Sequence, residues 1–284
     1  MEEVMSCLRV VMFQPPPSLF VSAMSAAVVA YLAFFGFSEI RGTHLKYSKF
    51  AGSSSSPSSK SSSWSSLPSR IGMFVLYFPA FLAAIASLLF LHGGGAPPSS
   101  RLLLVESALA IHFLKRLLET LFLHKYSGTM AVESAIPISL SYFSITAITI
   151  YAQRLTEEAM IPEPAVDLKL YGAVLFVVGI AGNFYHHYLL SKLRSDRGEN
   201  SKNKNKEYKI PKGGMFELVI CPHYLFEIIG FYGIALVSQT LYAFCVAVGT
   251  TLYLMGRSKV TREWYLSKFD DFPAHVKALI PFVF

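Results

Sequence analysis

LLLVESALAIHFLKRLLETLFL, residues 102–123, has the length and greasiness of a bilayer span, yet His112, Lys115, Arg116 and Glu119 are set into it. At i, i+3, i+4 and i+7 these four project from one face of a helix. An ionisable group at hydrocarbon depth costs about 2.5–3.5 kcal/mol on insertion scales, so such a stripe needs a bundle interior or a wet cavity to face. The stretch predicts a transmembrane helix that turns its charged face toward other helices, and that face is the first place to seek chemistry. Lys115 and Arg116 have a plainer use as well, snorkelling or pairing with Glu119 for packing alone.

Outward from this helix the chain keeps the same character. Its 284 residues are 53% hydrophobic and 15% charged, with a mean hydropathy of +0.45, too apolar for an ordinary soluble domain. Runs long enough to cross a bilayer fall at about 19–37, 72–92, 102–123, 136–152, 168–190, 217–236 and 239–256. The expected fold is therefore an all-α membrane protein, a bundle of about seven transmembrane helices. The first span follows Pro15, Pro16 and Pro17 without a basic n-region or a convincing cleavage motif, and is read as retained.

Seven spans put segments 38–71, 124–135, 191–216 and 257–284 on one side, with nineteen Lys and Arg residues against three (Arg9, Arg101, Arg154) opposite. The positive-inside rule then makes the C-terminus cytosolic and the N-terminus lumenal. The net charge of +7 belongs to those loops; no recognition motif accompanies it, so nucleic acid is not an expected partner. Cys7, Cys221 and Cys245 lack CxxC or finger spacing, and His186 and His187, adjacent on a helix, point about 100° apart; no metal site is expected. The Ser-rich run 53–69 reads as a flexible cytosolic loop, and 195–207 as a polar insertion that ends at YKIPKGGMF, where Pro211, Gly213 and Gly214 mark a turn. Residues 1–101 are taken as N-terminal spans and 102–284 as the core.

Polar residues recur in three further places. GNFYHHYLLSKLR, from Gly182, brings Asn183, His186 and His187 to a helix end; CPHYLFEIIGF, from Cys221, sets His223, Tyr224 and Glu227 in an apolar context; GRSKVTREWYLSKF opens the tail. With the third span these converge on the cytosolic half, which predicts a binding cavity open to the cytosol. Taken alone, His186 and His187 also read as satisfied helix-end histidines, and the basic loop 191–216 as a topology signal.

Together HFLKRLLETLFLHKYSGTM (112–130), GNFYHHYLLSKLR, YKIPKGGMF, CPHYLFEIIGF and WYLSKFDDFPAHVKALIPFVF resemble the steroid 5-alpha-reductase superfamily, which includes 3-oxo-5-alpha-steroid 4-dehydrogenases, very-long-chain trans-2-enoyl-CoA reductases and polyprenol reductase. The resemblance covers Arg101 to Phe284 well and the first hundred residues loosely. It implies a multi-pass endoplasmic-reticulum protein that uses NADPH to saturate a carbon–carbon double bond conjugated to a carbonyl. Steroid reductases of this kind hold the ketone with a glutamate late in the second span and a tyrosine after the third-span histidine; those positions here are Tyr77 and Phe113. The third-span wording and the CP-x-Y motif are closer to enoyl-CoA reductases, whose lysine and tyrosine correspond to Lys115 and Tyr224. A long-chain trans-2-enoyl-CoA of fatty acid elongation is accordingly the favoured lipid substrate, with other elongation enzymes as possible partners, and a 3-oxo-Δ4-steroid the alternative.

Hydride addition to the β-carbon places charge on the carbonyl oxygen, so a donor must face it. Tyr224 is the first candidate, with Lys115 as a second donor or as the cation that eases the phenol's ionisation; His112, Arg116, Glu119, His223, Tyr77 and Phe113 complete the expected pocket. By resemblance Asn183 and Glu227 contact the nicotinamide, and Tyr208, Arg257 and Tyr265 the ribose and phosphates; Arg194 and Lys212 add positive charge suited to a polyanion. Two family positions differ: the tail histidine is Thr261 and a fifth-span aspartate is His187. No GxGxxG follows a strand, so NADPH has to bind inside the bundle. Two other classes stay open: an isoprenylcysteine-methyltransferase-like enzyme using S-adenosylmethionine, and a non-catalytic membrane protein.

Overall fold

The computed structural model describes residues 10–15, 18–42, 66–90, 98–126, 128–195 and 209–284. Among them seven long α-helices follow one another: α1 (Leu19–Ile40), α2 (Ser69–Phe90), α3 (Ser100–Leu118), α4 (Val132–Glu158), α5 (Lys169–Ser195), α6 (Pro222–Ser238) and α7 (Leu241–Lys268). Local chemistry sets their starts. Ser18, Ser99 and Thr240 each accept a bond from the backbone N–H three residues on, and α6 begins with proline, whose missing N–H costs nothing there. α6 ends at Gln239, whose φ of 51° turns the chain into α7.

The helices α1, α2, α4 and α5 are long and apolar enough to cross a membrane. The other three fall short: α6 has 17 residues, α3 carries Arg101, Glu106, Lys115 and Arg116, and the last turns of α7 carry Arg257, Lys259, Arg262 and Lys268. Position explains the difference. α3 lies against α2 and α6, and α6 lies between α5 and α7, so their charges meet protein rather than lipid. The chain is a multi-pass membrane protein whose inner helices are the polar ones.

Close backbone contact draws the helices together. α1 packs on α7 at Gly36 and Gly256, where a Cβ on Gly256 would stand 2.2 Å from the Gly36 carbonyl oxygen. α5 packs on α6 in the same way: a Cβ on Gly179 would stand 2.4 Å from the Gly230 nitrogen. Pro79 inside α2 cannot donate to the Val75 carbonyl, and Ser139 of α4 bonds that oxygen instead at 2.9 Å.

The third span departs from a uniform α-helix. Its last turn, Glu119–Leu123, is π-helical and closes with the His124 N–H on the Glu119 carbonyl at 2.7 Å. The Ser-rich segment also differs from expectation at its end. Residues 66–68 form strand β1, antiparallel to β2 (Thr129–Ala131), because the apolar Leu67 lies opposite Met130, which is buried against Gly72. The remainder of that run, 53–65, and the 196–207 part of the polar insertion lie outside the described residues.

Candidate functional site

The stripe that opened the sequence faces inward. His112, Arg116 and Glu119 are buried and Lys115 nearly so, with 12% of its side chain exposed. One carboxylate organises them: Glu119 Oε1 meets Lys115 Nζ at 3.0 Å, while Oε2 meets Arg116 Nη1 at 2.7 Å and His187 Nδ1 at 3.1 Å. Arg116 extends the network through Nη2, which donates to the Tyr77 hydroxyl at 2.6 Å, with the guanidinium 4.8 Å from that ring's centre. Lys115 bonds Asn183, whose side-chain amide donates to the His223 carbonyl at 2.7 Å. The glycine contact between α5 and α6 makes that last bond possible, since it brings Asn183 beside the start of α6.

Tyr77 and Glu227 face one cavity. It lies among α1, α2, α4, α6 and α7. Leu76, Ile138, Ile145, Phe231 and Leu254 form apolar wall, relieved by Tyr142, Thr250 and Tyr253. An apolar lipid with one polar head fits such a lining. A carbonyl oxygen reaching Tyr77 would meet a hydroxyl that already accepts a bond from Arg116 and keeps its own proton for donation.

The other expected site residues fall into three settings. Phe113 is fully buried, edge-on to Tyr142 and His112, behind the cavity wall. Tyr224 packs with Cys221, Ile228, Leu254, Tyr265 and Phe272, its ring 4.3 Å from that of His223, at the start of α6 rather than in the wall of the cavity. Tyr265 is buried there too, stacked on Phe269. Arg257 makes a bidentate pair with Glu39 at 2.8 and 2.7 Å, both side chains buried. Arg194 and Lys212 are exposed, and Arg194 donates to the Lys125 carbonyl at 2.8 Å. Tyr208 lies outside the described residues.

The turn at YKIPKGGMF is held by a histidine. His186 Nδ1 donates to the Gly182 carbonyl at 2.7 Å, leaving Nε2 to accept the Met215 N–H at 3.1 Å. Gly213 and Gly214 supply the left-handed backbone (φ +86° and +54°) that this approach demands. The C-terminal tail closes the same end, with Ile220 N–H bonded to the Lys277 carbonyl and Lys277 N–H to that of Leu218.

His124 and Glu39 were not among the expected residues. A lone acid near the end of an apolar first span was the available signal for Glu39. His124 had none, because its place beside Glu119 depends on the π turn. Its Nε2 lies 4.0 Å from Glu119 Oε2 and its ring packs edge-on to His187 at 4.8 Å. Burial, aided by His187 and Arg116, pushes the His124 imidazole down to about 2, so it is neutral at physiological pH; burial raises the nearby Tyr126 phenol. Glu119, His124 and His187 place ligand atoms within 4.8 Å of one another. Arg116 Nη1, within 3.1 Å of both Glu119 and His187, already brings a fixed positive charge to that trio.

Comparison with known proteins agrees with this architecture. A family model described as 3-oxo-5-alpha-steroid 4-dehydrogenase matches residues 138–284. The 3-oxo-5-alpha-steroid 4-dehydrogenase 2 of Rattus norvegicus is 31% identical over 224 residues, 77% of this chain and 82% of that protein. A steroid 5-alpha-reductase of Gossypium hirsutum is 40% identical over 116 residues, 40% of this chain and 42% of its own. A very-long-chain enoyl-CoA reductase of Dictyostelium discoideum is 28% identical over 197 residues, 68% of this chain and 62% of its own. The matches thus span less than two thirds of the Gossypium and Dictyostelium proteins.

Proposed function

The chain belongs to the 3-oxo-5-alpha-steroid 4-dehydrogenase family, and from that premise we propose that it is an NADPH-dependent reductase of a carbon–carbon double bond conjugated to a carbonyl in a lipid. The observation that carries this reading is the joint exposure of Tyr77 and Glu227 to one apolar cavity, with Arg116, Glu119 and Lys115 wired behind Tyr77. Glu227 in the cavity wall would offer a carboxylate to the nicotinamide amide, while Asn183 has both ends of its own amide engaged, by Lys115 and by the His223 carbonyl; Lys212 and Arg194 are exposed cations suited to the phosphates. Arg257 fits less well, because Glu39 already engages it. NADPH supplies a hydride.

The chain's own groups handle the charge and the proton. Tyr77 donates to the carbonyl oxygen as negative charge collects there, and Arg116, bonded to the same phenol, stabilises that charge from behind. Lys115, fixed between Glu119 and Asn183 outside the cavity wall, is the reserve for the proton destined for the α-carbon, which a cavity water carries over the last step. Tyr224, in the first turn of α6 and outside the cavity wall, keeps a supporting role in this reading. We place the protein in the endoplasmic-reticulum membrane with its C-terminus cytosolic, in keeping with the basic loops.

A long-chain trans-2-enoyl-CoA remains the first substrate reading, supported by Lys115 and by Tyr224 in its CP-x-Y setting. The 3-oxo-Δ4-steroid reading is favoured by one observation: among the described residues that line the cavity there is no Lys or Arg to receive the phosphates of coenzyme A. Both are tested by offering each substrate in turn to the purified protein and following NADPH oxidation. Thermal stabilisation by S-adenosylmethionine and not by NADPH would point to the methyltransferase class instead, and unchanged reduction by both Lys115→Ala and Tyr224→Phe would dismiss their assigned roles.

A further inference from the structure

Saturating an enone consumes one proton for every hydride, and that proton has to enter an apolar cavity within the bundle. Resting on the reduction proposed above, we propose that His124, Glu119 and Lys115 form a proton-uptake path from the cytosolic end to the reacting carbon, with His187 fixing its middle member.

The path is laid out by the π turn. Its closing bond, from the His124 N–H to the Glu119 carbonyl, sets the two side chains one above the other, with His124 Nε2 4.0 Å from Glu119 Oε2. A small ring rotation or one bridging water closes that gap. The second carboxylate oxygen touches Lys115 Nζ at 3.0 Å, and Lys115 in turn bonds Asn183. His187 holds Oε2 at 3.1 Å and so keeps the carboxylate aimed both ways. Both ends of the path retain accessible surface inside the fold, 15% of the His124 side chain and 12% of Lys115, although their neighbours are buried. Water can therefore reach the first member, and the last is not sealed off.

Arg116 touches the same carboxylate and Tyr77, but a guanidinium does not release protons in proteins, so the route runs through lysine. The charged and titratable groups facing His124 are Glu119 and Arg116 from α3, Tyr126 from the following loop, and His187 and Arg194 from α5. Held neutral among them, the imidazole can take a proton at one nitrogen and release one from the other. In each turnover a C–H bond forms at the β-carbon from the hydride of NADPH, and the electron pair of the double bond moves onto the carbonyl oxygen. A second C–H bond then forms at the α-carbon as the carbonyl is restored, with a proton that a cavity water gives up and regains from Lys115. The amine regains a proton across Glu119 from His124, and His124 from water.

The test uses the full-length protein in lipid nanodiscs with NADPH and the reducible substrate. His124→Gln is expected to lower kcat on the order of tenfold to a hundredfold, within the range of acid–base steps, and to enlarge the solvent deuterium isotope effect. NADPH affinity, read by fluorescence titration, stays at the native value. His124→Ala is expected to behave alike and to regain rate when imidazole is added, which a purely structural defect would not do. Native kcat and isotope effect in both variants, or a loss in His124→Ala that imidazole fails to restore, overturns the path. Absence of reduction by the native protein overturns it together with the reading on which it rests.

Discussion

Replacing Tyr77 with phenylalanine removes a single oxygen, and the structure fixes what that oxygen does. It accepts a charge-assisted bond from Arg116 Nη2 at 2.6 Å, its ring lies under the guanidinium at 4.8 Å, and the residue is part of the cavity wall. Two losses follow, and they read out differently. The stability cost is one hydrogen bond to a buried charged group, about 1.5–3 kcal/mol, moderated because Glu119 still holds Arg116 Nη1. The catalytic cost is that of one donor aimed at a developing oxyanion, about 2.7–4 kcal/mol, or roughly 10²–10³ in kcat. Single-turnover NADPH oxidation, with thermal unfolding on the same preparation, separates the two. Tyr224→Phe serves as the comparison, since Tyr224 stands outside the cavity wall and should cost less in the hydride step. If Tyr77→Phe turns over at the native rate while losing only stability, the phenol is a packing partner of Arg116 and the placement of the substrate carbonyl is wrong.

Three further outcomes follow from the same geometry. Glu39→Met takes a bidentate carboxylate from the buried Arg257 guanidinium and should cost about 3–5 kcal/mol in unfolding free energy, whereas Glu39→Met with Arg257→Met recovers most of it; a double variant no more stable than the single one refutes the pairing argument. Gly256→Ala forces its Cβ to 2.2 Å from the Gly36 carbonyl oxygen, so α1 must shift off α7, at about 1–3 kcal/mol; since both helices line the cavity, KM should rise with it, and unchanged KM and unfolding temperature would contradict the contact. His124, neutral in the fold down to about pH 2 but titrating near 6.5 when unfolded, contributes stability that is complete above pH 6.5 and is lost as pH falls toward the folded value. At about 1 kcal/mol per pH unit below 6.5, this should lower the unfolding temperature by roughly 2–4 °C for each such step. His124→Gln should flatten the profile, and an unchanged slope would show that other groups carry it.

The helical layout was legible because a membrane leaves the backbone no alternative, and the spacing of His112, Lys115, Arg116 and Glu119 announced an inward face that the structure bears out. Which of those charges meets which was hidden. Glu119 gathers Lys115, Arg116 and His187 from two helices, and the π turn that delivers His124 to it has no local sequence signal. Arg257 shows the converse limit: an arginine near a candidate cofactor site reads as a phosphate ligand until the fold sets Glu39, 218 residues earlier in the chain, against it. The ordered strand at Ser66–Pro68 was lost to composition, since the serine-rich run in front of it gave no hint that Leu67 would find Met130.

Polar groups collect at both ends of α3, and what each set touches tells them apart. At its start Arg101 is 1% exposed; its Nη1 bonds the Val237 carbonyl and Gln239 Oε1, its Nη2 meets Glu163 and Asp167, and Gln239 in turn holds the carbonyls of Val11 and Val166. Those bonds join the segment before α1, the α4–α5 loop and the α6–α7 turn, and they point at one another. Such a set is a fastening: its free energy is spent on holding helix ends in register. At the far end of α3 Lys115 and Arg116 pair with Glu119, and Arg116 reaches Tyr77 of α2, which lines the cavity together with Glu227 of α6. Between the two lie Val105, Leu109 and Phe113, each nearly or fully buried, so that neither assembly reaches the other through polar contacts along this helix. Of the two assemblies only the one at the second end touches a residue of the described cavity's wall, Tyr77, so a molecule in that cavity would feel its charges and not that of Arg101.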